Sequence, residues 1–457
     1  MSFPAYPGYK DSGVQWIGNV PEHWDVVRLR NIFLIQKRIA GKLGFDVLSI
    51  TNKGVKVKDI ESGDGQLSSD YSKYQLVMKG EFAMNHMDLV TGYVDISAFD
   101  GVTSPDYRVF SAAHPELDSP RFMLRLLQNA YHQKLFFPFG QGSAHLGRWR
   151  LPAEEFKDFF FPRPSRSEQT QIARFLDHET ARIDALIEEQ QRLIELLKEK
   201  RKAVISHAVT KGLDSTVPMK DSGVEWLGEV PAHWSVHQLK RAIAMIESGT
   251  SVNAADYPAE TGSLGVLKTS CVYTGAFDWR ENKTVDQEDL GRVSCPLIEN
   301  TLIVSRMNTP DLVGATGLVS EAPEGIFLPD RLWQVYIEQD HFPSFIFYFT
   351  KSPEYREQVK VACSGTSSSM QNLGQDDFRS LLFVQPPLLE QIEIASFLDG
   401  ETRKLDLLIE EAAAGVVLLN ERRSALISAA VTGKIDVRGW QPPVSTQAPK
   451  FEVAEAV

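Results

Sequence analysis

Sulfur is scarce in this sequence. Its 457 residues include three cysteines, Cys271, Cys295 and Cys363. They are odd in number, lie far apart, and show neither C-x-x-C nor Cys/His ligand spacing. A disulfide framework and a zinc site are therefore not expected, and reduced thiols in a cytoplasmic protein are. Long apolar runs are missing too. The most apolar stretch, FPSFIFYF at 342–349, falls well short of the roughly 18 residues that a membrane span needs, and reads as a buried element. The opening MSFPAYPGYKDSG lacks the basic-then-apolar pattern of a secretion signal.

An excess of positive charge is also absent. The formal net charge is −12. Residues 25–165 carry 18 Lys+Arg against 16 Asp+Glu, a net of +2, and residues 235–387 carry 12 against 19, a net of −7. Neither segment is the strongly basic domain that non-specific phosphate binding predicts, although a local basic groove is compatible with both. Signatures of catalysis are missing as well. There is no Asn/Asp-Pro-Pro-aromatic motif for amino methylation, no G-x-G-x-x-G cofactor loop and no G-x-x-x-x-G-K-[ST] phosphate loop. The Pro-Asp of PDRLWQVYIEQD at 329–340 is followed by acidic residues but not by the Lys of a nuclease site, and reads as structural.

What the chain does have is repetition. DSGVQWIGNVPEHW at 11–24 returns as DSGVEWLGEVPAHW at 221–234, with ten of fourteen positions identical. Its Gly and Pro read as turns rather than regular helix or strand, and Trp16, Trp24, Trp226 and Trp234 read as anchors. A longer repeat matches EQTQIARFLDHETARIDALIEEQQRLIELLKEKRKAVISHAVT at 168–210 with EQIEIASFLDGETRKLDLLIEEAAAGVVLLNERRSALISAAVT at 390–432, at a constant offset of 222. Apolar residues recur in it near a period of 3.5, at Ile183, Leu186/Ile187, Leu193/Ile194, Leu197 and Val204 and at their partners in the second copy. The spacing predicts two helices, each spanning roughly 60 Å at ~1.5 Å per residue, zipped into an antiparallel coiled coil. Two separate amphipathic helices, each buried in its own domain, are the alternative. Gly415 falls mid-helix in the second copy and costs about 1 kcal/mol relative to Ala.

The blocks between these repeats, 25–165 and 235–387, share few identities. Both hold short β-branched runs (DVLSI, KGVKV, TLIVS, LWQVYI) and short helical stretches at 119–134 and 343–351, so both read as α+β domains. Pro162, Pro164, Pro386 and Pro387 halt the chain just before each long helix. The expected organisation is a first domain over 1–165, a long helix over 166–213, a second domain over 214–387, a second helix over 388–437 and a disordered tail over 438–457. The phrase follows the first helix but does not return after the second. The N-terminal copy is therefore expected to fill that place, making a pseudo-twofold circular repeat in which each phrase plugs the junction between a coiled-coil end and the next domain.

Two unlike domains separated by two repeated long helices resemble the specificity subunits of type I restriction–modification systems. NTLIVSRMNTPDLVGATGLV at 300–319, GTSSSMQNLGQDDFRSLLFVQPPLLEQ at 365–391 and GYVDISAFDGVTSPDYRVF at 92–110 are similar to phrases of that family's target-recognition domains. The resemblance implies a non-catalytic reader of double-stranded DNA. Each domain would contact one half of a split, asymmetric site, and the helices would set the spacing. Two methyltransferase subunits would dock on the helices and restriction subunits would join them, and no membrane is involved. The chain itself would carry no cofactor. S-adenosylmethionine, ATP and Mg would belong to the partner subunits, and the methyl group would pass to adenine N6 of a base rotated out of the duplex.

Side chains able to read bases cluster in a few segments. In the first domain these are Asn85 and His86 in AMNHMD, and Gln141, Ser143, His145, Arg148 and Arg150 in the loop GQGSAHLGRWR at 140–150. In the second they are Arg306 and Asn308 in SRMNT, and Ser367, Ser369, Gln371 and Asn372 in GTSSSMQN. Arg pairs with guanine and Gln or Asn with adenine through two hydrogen bonds each. Turn and surface roles are the plainer reading of any single one. His23 and His233, beside Trp in the phrase, read as packing or turn residues, and Glu188-Glu189 with Glu410-Glu411 as a solvated or partner-facing helix edge. Taken without the resemblance, the repeat also fits a pseudo-symmetric coiled-coil scaffold that assembles other proteins and binds no DNA, or an enzyme of unrecognised type in the variable domains.

Overall fold

A computed structural model of the chain describes residues 3–60, 68, 70–143, 148–367 and 370–443. The chain divides into two compact units, Met1–Gln190 with Ala414–Val457, and Gln191–Ala413. Both long helices, Arg166–Lys211 and Leu388–Val431, cross that division, so each unit owns half of each helix. The fold is α+β.

In the first unit a four-stranded antiparallel sheet runs in the order Phe33–Gln36, Arg108–Ala112, Phe82–Met84, Val94–Ile96. Phe33, Phe82 and Phe110 pack ring to ring on one face of it, at centroid distances of 4.8–5.1 Å. The helix Pro120–His132 covers this core with Phe122, Met123, Leu126 and Leu127, all buried. Pro120 at its first turn explains the sharp start. In the second unit the strands Ile243–Ser248, Leu332–Ile337, Leu302–Ser305 and Thr316–Leu318 repeat the same order and the same antiparallel sense. The helix Pro343–Phe349 follows the sheet as Pro120–His132 does in the first unit. Low sequence identity thus hides one topology, because a sheet needs the alternation of apolar residues rather than their identity. The units differ outside the sheet: the first adds a hairpin, Leu48–Thr51 with Gly54–Val57, and the second adds another sheet that includes one parallel pair.

The long helices pair antiparallel within each unit. In the first, Arg423 Nε donates to Asp184 Oδ1 at 2.7 Å, and Gly415 faces Gln190. In the second, Arg201 Nε lies 2.9 Å from Asp406 Oδ1, and its Nη2 reaches Asp406 Oδ2 at 3.4 Å. Ile183, Leu405 and Ala412 are buried along the seam. Other members of the apolar stripe are not: Leu186, Leu193 and Leu408 are 38–48% exposed, and Leu196 and Leu418, beside the stripe, are 52% and 64% exposed. Glu188, Glu189, Glu410 and Glu411 are exposed as expected.

Each helix begins with the same two locks. Glu168, in the first turn and buried, accepts from Tyr6 Oη (2.7 Å) and Trp24 Nε1 (3.1 Å) and contacts His23 Nε2 (2.9 Å). Glu390 does the same for Trp234 Nε1 (3.0 Å) and His233 Nε2 (2.9 Å). A carboxylate there also sits well against the positive end of the helix dipole. The next residue ties the helix to its domain: Gln169 accepts from Ser119 N and donates to Leu117 O and Pro164 O, while Gln391 accepts from Phe342 N and donates to Pro386 O. The Glu-Gln pair of the repeat is thus a two-way bracket.

The repeated phrase closes the other end. It folds as a small hairpin between three-residue strands, Tyr9–Asp11 with Asn19–Pro21 and Met219–Asp221 with Glu229–Pro231, so it contains more regular structure than its composition predicts. In the first unit Trp24 is fully buried with Ile427, Ala430 and Val431 at the end of the second long helix. Gly433 stops that helix at φ +76°, and a Cβ there would lie 2.4 Å from Pro21 Cδ. Only glycine suits both the left-handed turn and the close approach. In the second unit Trp234 packs against Ile205, Ala208 and Val209, next to Gly212 at φ +81°. The N-terminal phrase therefore occupies the place after the second helix.

Two expectations change. Residues 438–440 are packed rather than disordered: Trp440 meets Phe175 edge-on at 5.3 Å, and its carbonyl and that of Val437 accept from Gln171 Nε2. Residues 444–457 of the expected tail lie outside the described residues. Three of the four phrase tryptophans anchor as expected, but Trp226 is 44% exposed. Trp16 stacks on Phe159 at 5.5 Å, whereas Leu381 stands at the corresponding position of the second copy and offers no ring.

Candidate nucleic-acid interface

In both units the second sheet strand in the chain runs out into a basic residue. Phe82–Met84 leads to Asn85-His86, and Leu302–Ser305 leads to Arg306. A β-hairpin then returns beside that exit. In the first unit it is Gln141–Ser143 with Arg148–Arg150, in the second Ser364–Ser367 with Met370–Asn372. These segments, expected as loops, are strand pairs. A main-chain bond at the same place ties each hairpin to the strand exit: Leu151 N donates to His86 O at 2.9 Å, and Leu373 N donates to Arg306 O at 2.8 Å. Leu151 and Leu373 are 222 positions apart, as are Arg150 and Asn372. Across the sheet, Arg108 pairs with Met84 and Trp333 with Val304, each two residues before the exit residue. One backbone frame therefore presents His86, Arg108 and Arg150 in one unit and Arg306, Trp333 and Asn372 in the other.

The first frame surrounds a cavity of about 450 Å³, lined by Lys37, Gln75, His86, Arg108, Gln141 and Arg150 among others. Arg108 is buried. Its Nη2 donates to Leu151 O at 3.0 Å, its guanidinium lies 4.7 Å from the Phe156 ring centroid, and its Nη1 has no partner. Burial lowers its pKa to about 10. His86 Nδ1 is also without a partner. Burial, and then the charge of Arg108, push the imidazole down to about 3, so it is neutral at physiological pH. Arg108 is not among the sequence candidates; only the sheet register brings it to the cavity.

The remaining candidates divide. Asn85 serves its own turn, with Oδ1 accepting from Met87 N at 3.3 Å and its carbonyl from Tyr131 Oη at 2.8 Å. Gln141 is exposed at the cavity edge. Ser143 and Arg148 lie in the hairpin strands with side chains that are not described, and His145 lies outside the described residues. In the second unit Arg306 Nε is buried without a partner, and Asn372 Oδ1 likewise. Asn308 is buried and donates to Tyr273 Oη (2.7 Å) and Ser305 Oγ (3.1 Å), so its amide is committed inside the unit. Gln371 is half-buried opposite it. Ser367 ends a strand with its side chain undescribed, and Ser369 lies outside the described residues. Among the described residues no group of three His, Cys, Asp or Glu is placed to hold a metal, and no helix is long and apolar enough to cross a membrane.

No protein-family model matches the chain. It is similar to the type I restriction enzyme MjaVIII specificity subunit of Methanocaldococcus jannaschii, at 23% identity over 436 residues that cover 92% of this chain and 94% of that one. It is also similar to the EcoKI specificity subunit of Escherichia coli K12, at 22% over 365 residues covering 79% and 73%. Two solved structures share the fold. One comes from work on complex assembly and conformational transition of the type I R-M system, with a TM-score of 0.62, 15% identity and coverage of 90% of this chain and 98% of that chain. The other is the HsdS subunit from Thermoanaerobacter tengcongensis, with a TM-score of 0.52, 15% identity and coverage of 91% and 98%.

Proposed function

We propose that this chain, which resembles the specificity subunits of type I restriction enzymes in sequence and in fold, reads DNA sequence for such a complex. Each unit reads one half of a bipartite site. The carrying observation is the shared frame with unlike side chains: His86, Arg108 and Arg150 against Arg306, Trp333 and Asn372. A common backbone fits a common way of meeting the duplex, and unlike side chains, contacting phosphates as well as base edges, fit unlike half-sites. The long helices, continuous from one unit into the other, act as the spacer.

The exposed leucines fit the partners. Leu186 with Leu408, and Leu196 with Leu418, are repeat equivalents, so the helices offer the same apolar stripe twice. Two methyltransferase subunits dock there, and the restriction subunits join through them. Chemistry belongs to those partners, with S-adenosylmethionine on the methyltransferases and ATP and Mg on the motor–nuclease, while this chain is non-catalytic and works in the cytoplasm. Partner surfaces supply the positive charge that a chain of net −12 lacks.

DNA affinity measured across a salt series, with and without the co-expressed methyltransferase subunit, tests the reading. A steep salt dependence and protection of two separated DNA segments are expected. A complex that assembles but binds no DNA selectively would instead be a scaffold, and methylation by the chain alone would make it an enzyme.

A further inference from the structure

We propose that the cavity bounded by His86, Arg108 and Arg150 in the first unit is a phosphate-binding site that accepts the phosphate of a nucleotide. Where that nucleotide is part of a DNA strand, the inference rests on the DNA-reading function above.

Arg108 carries an unbalanced charge. Arg108 is 5% exposed, yet no carboxylate among the described residues pairs with it. The backbone carbonyl of Leu151 and the Phe156 ring fix one side of the guanidinium, Nη1 is buried without a partner, and Arg108 is one of the residues that line the cavity. A buried cation held in this way is usually matched by a buried anion. The described residues supply none: the lining holds Lys37, Arg108 and Arg150 against a single acid, Asp106, which is exposed.

The other walls favour phosphate over a plain base edge. A neutral base leaves the charge uncompensated, whereas a phosphate oxygen both accepts from a guanidinium fork and neutralises it. His86, which is neutral, and Gln141 add polar side chains to the same lining. A volume of about 450 Å³ exceeds what a bare phosphate fills and lies in the range of pockets that hold small ligands. The equivalent frame in the second unit has buried Trp333 in place of Arg108, so the site is particular to the first unit.

The test uses the full chain, alone and in complex with its methyltransferase subunits. Arg108→Met keeps an unbranched apolar stem against Phe156 and removes the charge. Arg150→Met, at an exposed position, removes a second cation without touching the core and serves if the first variant does not fold. The probes are deoxyadenosine 5′-monophosphate and inorganic phosphate by calorimetry on the chain, and a duplex carrying the host's methylated motif by salt titration on the complex. If the source is DNA, the folded variant loses roughly tenfold in duplex affinity and its salt slope falls by about one. If the source is a free nucleotide, the monophosphate binds the wild type and not the variant, while the salt slope of duplex binding keeps its wild-type value. A folded variant unchanged in both measurements overturns the site. A wild-type complex that binds no duplex overturns the DNA-reading function, and the monophosphate result then decides the site by itself.

Discussion

Asp184 pairs with Arg423 at 2.7 Å in one unit, and the residues 222 positions further on and back, Asp406 and Arg201, make the same pair at 2.9 Å in the other. The two contacts are one interaction of the repeat, written once in each direction. That reciprocity is what an antiparallel pairing of two copies of one helix requires. Both pairs are partly exposed, so each contributes about 0.2–1 kcal/mol. Reversing Asp184 to Arg is expected to destabilise the chain, and adding Arg423→Asp to restore most of the loss. Urea unfolding of the two single variants and the double gives the coupling energy; a coupling of zero would remove the pair from the account.

The two glutamates at the helix starts differ in burial, and so in what their loss costs. Glu168 is 5% exposed and satisfies Tyr6, Trp24 and His23, while the side chain of Glu390 is 28% exposed and satisfies Trp234 and His233. Truncating Glu168 to Ala leaves buried donors unpaired, a loss of about 2–4 kcal/mol, whereas Glu390→Ala is expected to lose about 1–2 kcal/mol. Denaturant melts of both variants check the order. Equal losses would mean that the phrase, and not its carboxylate bracket, holds the junction.

His86 sets a pH dependence whose sign follows from its surroundings. Its pKa is pushed down to about 3 by burial first, with Arg108 and Arg150 adding to the push. The unfolded chain takes up this proton below about 6.5 and the folded chain does not until near 3. The stability it contributes is therefore complete above about pH 6.5 and is lost as pH falls below that, with a slope of at most about 1.4 kcal/mol per unit. Carboxylates titrate in the lower part of that range, so the comparison is with His86→Gln. The variant should show a shallower loss between pH 6.5 and 5, and parallel curves would contradict the assignment.

Much of the fold was legible because it is periodic. The 3.5-residue stripe located the long helices, the prolines located their starts, and the constant offset of 222 predicted that both would be used alike. The sheets were visible only as separate runs such as TLIVS and LWQVYI, since register depends on partners distant in the chain. For that reason Arg108 was missed: nothing local to YRVF says that its neighbour across the sheet is Met84, two residues before His86. Asn308 misled for the opposite reason. Its amide type suits adenine, but only the fold reveals Tyr273 and Ser305 already holding it. The exposure of Trp226 accompanies Leu381 in place of Phe159, a difference that two aligned apolar residues do not advertise.

Under the proposed function the two units read two separate stretches of one DNA site. Mapping methylated adenines in host DNA tests it most directly, for the wild-type chain and for variants at Arg108 and Arg306, one in each unit. A single asymmetric motif of two specified segments around an unspecified spacer is expected, with the Arg306→Ala variant relaxing one segment and leaving the other as it was. An uninterrupted motif, or a change in both segments from one substitution, would contradict it.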